Sequence, residues 1–195
     1  MIYIMTPADK LPDTFPGLCS TFMPPERTRQ MMAYAGIRDR KLCAAAYVLL
    51  VYALKKEGLF TGMPVFEYGP SQKPFLANYP GIHFNISHCE GAVVCAVSSQ
   101  PVGIDIEKVG EYDDRMARYI CNEREYSWVT GVPGMEALRF TEMWTRKESN
   151  VKCMGTGIND HPVLMESGGC RVWYYSNEHD QYIISLKQCS KQPIP

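Results

Sequence analysis

Two stretches of the sequence carry residue types suited to holding a metal ion and a phosphate. In Gly103-Ile104-Asp105-Ile106-Glu107 an apolar run bears two carboxylates two residues apart. Side chains alternate along a strand, so Asp105 and Glu107 share one face while Ile104 and Ile106 share the other. Adjacent anions repel unless a cation neutralises them. Mg²⁺ suits such a pair, because it takes oxygen ligands from a few carboxylates and completes its shell with water and substrate phosphate. Mn²⁺ accepts the same ligands. An edge strand with a solvated acidic face fits the spacing equally well.

The second stretch is Phe140-Thr-Glu-Met-Trp144-Thr-Arg-Lys-Glu148-Ser-Asn-Val-Lys152, closed by Gly155-Thr156-Gly157. On a helix Phe140, Trp144, Glu148 and Lys152 recur every fourth residue, so an apolar stripe runs into an acid–base pair on one face. A solvent-exposed Glu–Lys pair is the plain alternative. A third segment, Phe84-Asn85-Ile86-Ser87-His88, reads as a strand running out into a loop, with a hydroxyl and an imidazole able to donate to phosphate oxygens. A structural or merely exposed histidine is compatible with it too. Arg27, Arg29, Arg38, Arg40, Lys41 and Lys73 are the remaining anion-binding candidates, each a surface charge unless something gathers them. No Walker or G-x-S-x-G pattern occurs, and no local spacing suggests a hydrolase triad.

The elements that must position these residues alternate between strand and helix patterns. Ile2–Met5 alternates as a strand before a proline-rich segment from Pro7 to Pro25. Leu42, Ala45, Ala46, Leu49, Leu50, Ala53 and Leu54 recur at spacings of three and four, predicting one long helix from Arg38 to Glu57. The middle third reads as short strands at 65–68, 82–86, 92–97 and 102–107. Helices are predicted at 113–120 and 136–154, and a closing hairpin at 170–176 and 182–186, with a loose tail from Lys191 to Pro195. These strands sit too close together for a parallel sheet built on one-for-one helical crossovers, so an α+β fold with antiparallel pairing is expected.

The chain has 195 residues, 46% of them hydrophobic and 21% charged, enough for one large core or two small ones. A formal net charge of −1 gives no overall pull toward nucleic acid or an anionic membrane, so any anion site must be local. Eight cysteines are scattered without a CxxC pair and are read as reduced thiols. The N-terminus lacks the basic region and long apolar run of a signal peptide, and no stretch approaches a membrane helix, so cytoplasm is the expected compartment.

In order and separation, His83-Phe-Asn-Ile-Ser-His88, Ser99-Gln-Pro-Val-Gly-Ile-Asp-Ile-Glu-Lys108 and Trp144-Thr-Arg-Lys-Glu-Ser-Asn-Val-Lys152 with Gly155 and Gly157 resemble the 4'-phosphopantetheinyl transferases. The likeness is to the monomeric, two-lobed kind that serves surfactin-type peptide synthetases. That family implies a pseudo-twofold pair of similar α+β lobes, each a small, mostly antiparallel sheet on a long helix, here 1–101 and 102–195. Coenzyme A would bind between them as co-substrate, with Mg²⁺ or Mn²⁺. Carried over, Asp105, Glu107 and Glu148 would hold the metal, and Asp105 would thereby grip the pyrophosphate. Glu148 would act as base and Lys152 would contact phosphate. Ser87 and His88 would bind the nucleotide end, while Arg27, Arg40 and Lys73 would hold phosphates and adenosine. The partner implied is an apo acyl or peptidyl carrier protein, with fatty acid, polyketide and nonribosomal peptide synthesis all open. This chain departs from the family at Gln72-Lys73-Pro74, at Lys41 and at Arg29 beside Gln30. Met116, Met135 and Met143 are candidates for carrier docking or for core packing. Two rivals remain: another Mg²⁺ phosphotransferase or nucleotide hydrolase, and a non-catalytic module that docks carriers. The clustered acids speak against the module.

Overall fold

Small residues on one helix face let a sheet approach closely, and this chain does that in its first half. The computed structural model describes residues 1–156 and 165–189; Gly157 and the tail Lys191–Pro195 lie outside them. The chain folds as two compact units, Met1–Gln100 and Pro101–Pro195.

In the first unit, β1 (Ile2–Met5), β5 (Ala92–Ser98) and β4 (His83–Cys89) form an antiparallel sheet in the order β1-β5-β4. It packs on α3 (Ile37–Lys56), whose Ala45, Leu50, Ala53 and Leu54 are buried against β5 residues such as Val93 and Cys95. Each fully buried leucine contributes about 2 kcal/mol through removal of its surface from water. A two-stranded ribbon, β2 (Phe66–Tyr68) with β3 (Pro74–Leu76), sets Phe66 edge-on against Phe84.

The proline-rich segment, to which the sequence assigned no element, is partly helical. A short 3-10 turn at Ala8–Lys10 precedes α1 (Phe15–Ser20) and α2 (Pro25–Ala33). Both helices carry proline in the first two positions, where the missing N–H costs nothing and the fixed φ favours the helix.

In the second unit, β6 (Val102–Lys108), β8 (Gln181–Gln188) and β7 (Arg171–Ser176) form an antiparallel sheet in the order β6-β8-β7, packed on α6 (Glu136–Met154). The expected hairpin is therefore present. Asp113 caps α4 (Asp114–Ile120) by accepting from the Arg115 and Met116 N–H groups. Asn122 and Glu125 form a reciprocal capping box that starts α5 (Glu123–Thr130), an element absent from the sequence prediction. α6 ends where Gly155 takes a left-handed conformation, φ 71°, as expected of a glycine stop.

Each unit thus sets one three-stranded antiparallel sheet against one long helix, and the fold is α+β as the sequence predicted. Of the eight cysteines expected as thiols, one pair is brought within disulfide reach: Cys153 and Cys189 lie with their Cα atoms 6.5 Å apart, because β8 runs back along β6 to the end of α6. The other six form no disulfide. No helix among the described residues is long and apolar enough to cross a membrane.

Candidate active site

Gly103, Asp105 and Glu107 share one face of β6, and that face meets α6. The contact at Gly103 is so close that a Cβ there would lie 2.1 Å from the Ser149 carbonyl oxygen and 2.3 Å from the Cys153 nitrogen. The missing side chain therefore brings β6 onto the stretch of α6 that carries Glu148 and Lys152. Asp105 is 1% exposed and Glu148 6%, so neither is the solvated surface acid that the spacing alone allowed. Lys152 Nζ donates to Asp105 Oδ1 at 2.5 Å and stands 3.9 Å from Glu148 Oε2. Beneath them, the hydroxyls of Thr145 on α6 and Ser185 on β8, the register partner of Asp105, lie 2.8 Å apart and are fully buried.

The electrostatics of this cluster are those of acids short of positive charge. Burial, reinforced by Asp105, pushes the Glu107 carboxyl up to about 7 against the opposing pull of Lys152 and a hydrogen bond from Trp144. Burial also raises the Glu148 carboxyl above the ordinary range, with Lys152 pulling the other way and Asp105 adding to the rise. Glu148 Oε1 is buried with no hydrogen-bond partner among the described residues. No three His, Cys, Asp or Glu side chains among those residues form a ready-made metal-binding group. Lys152 is the cation that sits among the acids. The donor set is nonetheless all hard oxygen, and an orphaned buried carboxylate oxygen is what a divalent ion would satisfy.

The residues expected to bind the nucleotide belong to the first unit, on α2, α3, β4 and the turn between β2 and β3. Arg27, on α2, lies with its guanidinium 4.5 Å over the Phe66 ring, and its Nε is buried without a partner among the described residues. Arg40, in the first turns of α3, donates from Nε to the Tyr34 carbonyl at 2.8 Å. Lys73 follows the turn between β2 and β3, where Gln72 is left-handed at φ 61°, and burial pulls its ammonium below the ordinary lysine range. Ser87 and His88 lie within β4 rather than beyond it, opposite Val94 and Val93; Ser87 is buried and His88 exposed. Two of the other basic candidates have protein partners: Lys41 pairs with Asp13 at 2.6 Å and Arg38 with Glu90 at 3.3 Å. Of the methionines, Met143 is buried in a small core with Ile120, Cys121 and Val129, whereas Met116 and Met135 are exposed.

One residue of the site region escaped the sequence reading. Lys147, next to Glu148, is 0% exposed and ion-paired with Glu125. The spacing Asn122-x-x-Glu125 is a capping-box signal that would have placed Glu125, though not its partner.

The profile of the 4'-phosphopantetheinyl transferase superfamily matches residues 101–184, the part that holds this cluster. Over 176 residues the chain is 33% identical to 4'-phosphopantetheinyl transferase gsp of Aneurinibacillus migulanus, covering 87% of this chain and 68% of that protein. The chain belongs to the 4'-phosphopantetheinyl transferase superfamily. It is accordingly a transferase, of the phosphopantetheinyl class. It is also 39% identical over 94 residues to 4'-phosphopantetheinyl transferase Sfp of Bacillus subtilis (strain 168), covering 48% of this chain and 41% of that one. With the L-aminoadipate-semialdehyde dehydrogenase-phosphopantetheinyl transferase of Saccharomyces cerevisiae it shares 30% identity over 134 residues, 63% of this chain and 48% of that protein. The chain thus spans less than half of the last two relatives along the matched stretches.

Proposed function

We propose that this transferase moves the 4'-phosphopantetheine arm of coenzyme A onto a serine hydroxyl of an apo acyl or peptidyl carrier protein and releases 3',5'-ADP. The observation that carries the reading is the pair of buried acids Asp105 and Glu148 on facing strand and helix, with the half-buried Lys152 between them and Glu107 beside them. Asp105, Glu107 and Glu148 would hold Mg²⁺, or Mn²⁺. Such an ion, when bound, neutralises pyrophosphate charge in the transition state.

The chain's own residues supply the rest. A buried carboxylate with a raised proton affinity is a competent base, so Glu148 takes the proton of the attacking serine. The serine oxygen then bonds to the β-phosphorus, the bond from that phosphorus to the bridging oxygen breaks, and 3',5'-ADP leaves with the electron pair. Lys152, already held against Asp105, offers a fixed positive charge to the phosphate oxygens. Arg27, Arg40, Lys73, Ser87 and His88 hold the nucleotide end. The enzyme works as a monomer in the cytoplasm, without nucleic acid or membrane. Incubating it with coenzyme A, Mg²⁺ and a panel of apo carriers, and reading the carrier's intact mass, tests the proposal. A phosphopantetheine adduct lost on chelation supports it; phosphate or AMP released from nucleotides without any carrier supports the hydrolase alternative instead.

A pH dependence follows from the Glu107 carboxyl. Its ordinary value of 4.5 is raised to about 7, so the folded protein without a cation holds this proton, and ionising the group costs stability as pH climbs from 4.5 through 7. Protons and cation compete for the same oxygens. Mn²⁺ affinity, measured by titration calorimetry, is therefore expected to rise about tenfold from pH 6 to pH 8. A flat profile would remove Glu107 from the ligand set.

A further inference from the structure

We propose that Lys147, through its buried ion pair with Glu125, is a positioning residue that sets the rotation of α6 and thereby the aim of Glu148. This rests on the reading of Glu148 as the proton acceptor.

Lys147 is fully buried, and its Nζ lies 2.8 Å from Glu125 Oε2 and donates to the Ile120 carbonyl at 2.6 Å. The partner carboxylate is itself fixed on both oxygens. Oε2 also accepts the Asn122 N–H at 3.0 Å, closing the capping box of α5, and Oε1 accepts the Ser167 hydroxyl at 2.6 Å. One side chain of α6 is therefore tied at once to the end of α4, to the first turn of α5 and to the segment that precedes β7.

A buried ion pair is a poor way to gain stability, since desolvating both charges offsets their attraction and apolar replacements are often as stable. Its distinguishing property is directional. An apolar contact tolerates a helix rolling a little; an ammonium that must reach a carboxylate and a carbonyl together does not. Lys147 and Glu148 are consecutive, so their side chains leave the helix about 100° apart. Holding Lys147 toward α5 fixes Glu148 toward β6, where Asp105 lies and where Lys152 of α6 also reaches. A roll of about 20° would swing a carboxylate some 6 Å from the helix axis by about 2 Å, enough to spoil proton transfer.

The experiment compares Lys147→Met/Glu125→Leu, which removes both charges and keeps the volume, with the wild type and with Glu148→Gln. Thermal midpoint, kcat, KM for coenzyme A and the Mn²⁺ affinity of the protein alone, by EPR, are measured. The expected result is a midpoint close to wild type, kcat lower by at least tenfold, KM within twofold and weakened Mn²⁺ binding. Wild-type kcat with unchanged Mn²⁺ affinity overturns the inference. Should the double variant fail to fold, Glu125→Asp retracts the carboxylate by one carbon and is expected to lower kcat about fivefold with KM unchanged; wild-type kcat there overturns the inference as well. The Glu148→Gln arm separates the two ideas. If that variant is active, the reading of Glu148 fails; if it is dead while the double variant turns over normally, only the positioning role fails.

Discussion

Glu148→Gln is expected to lower kcat by at least about 10³-fold while leaving the protein as stable as the wild type or more so. Glutamine matches glutamate in volume, so the packing of a side chain that is 6% exposed is kept. What disappears is the basic oxygen, and a positioned base alone is worth about 10²–10⁴ in rate. Loss of a charged oxygen donor adds to that. Stability moves the other way, because the buried carboxylate carries an unsatisfied oxygen and burial already opposes its ionisation. Single-turnover transfer to an apo carrier, with the thermal midpoint from calorimetry, checks both halves. Turnover near the wild-type level would take Glu148 out of the chemistry.

Gly103→Ala is expected to cost at least about 4 kcal/mol and to leave little folded protein, measured by urea denaturation and soluble yield. The added methyl meets backbone atoms of α6: the Ser149 carbonyl oxygen at 2.1 Å, the Cys153 nitrogen at 2.3 Å and its Cα at 2.9 Å. Backbone cannot swing aside as a side-chain tip can, so strand and helix would have to part along their packed length. Because Asp105 lies two residues along the same face, any surviving fold would also hold its acids away from Lys152. Wild-type stability in this variant would mean that β6 and α6 do not meet as described.

What the sequence made legible was whatever rested on periodicity. The apolar spacing of α3 and the Phe140-Trp144-Glu148-Lys152 stripe of α6 located both long helices, and alternation in 102–107 put Asp105 and Glu107 on one face. Signals that depend on position within an element were misread. Pro16 and Pro25 each stand in a first helical turn, yet no helix was assigned there, and Asn122 with Glu125 went unrecognised as the start of α5. Three-residue β3 is too short to show any period. Pairings distant in sequence had no local trace at all. Nothing near Lys147 announces Glu125, and Cys153 and Cys189 stand 36 residues apart. The burial that raises Glu107 and Glu148 is likewise a property of the assembled sheet and helix, invisible in the spacing of the acids.

The depth of the Lys147–Glu125 pair has a consequence for the solution conditions the protein tolerates. Ions screen charges that water can reach, over a Debye length of about 8 Å at physiological ionic strength, and act far less on charges sealed from it. Arg118–Asp114 and Arg38–Glu90 are open to solvent and will fade as salt is added. The lysine beside Glu148 is 0% exposed and its partner 10%, so brine leaves that clasp closed. Salt thus separates two things that a mutation tends to confound: it weakens the grip on an anionic substrate while the frame that aims the acids stays as built.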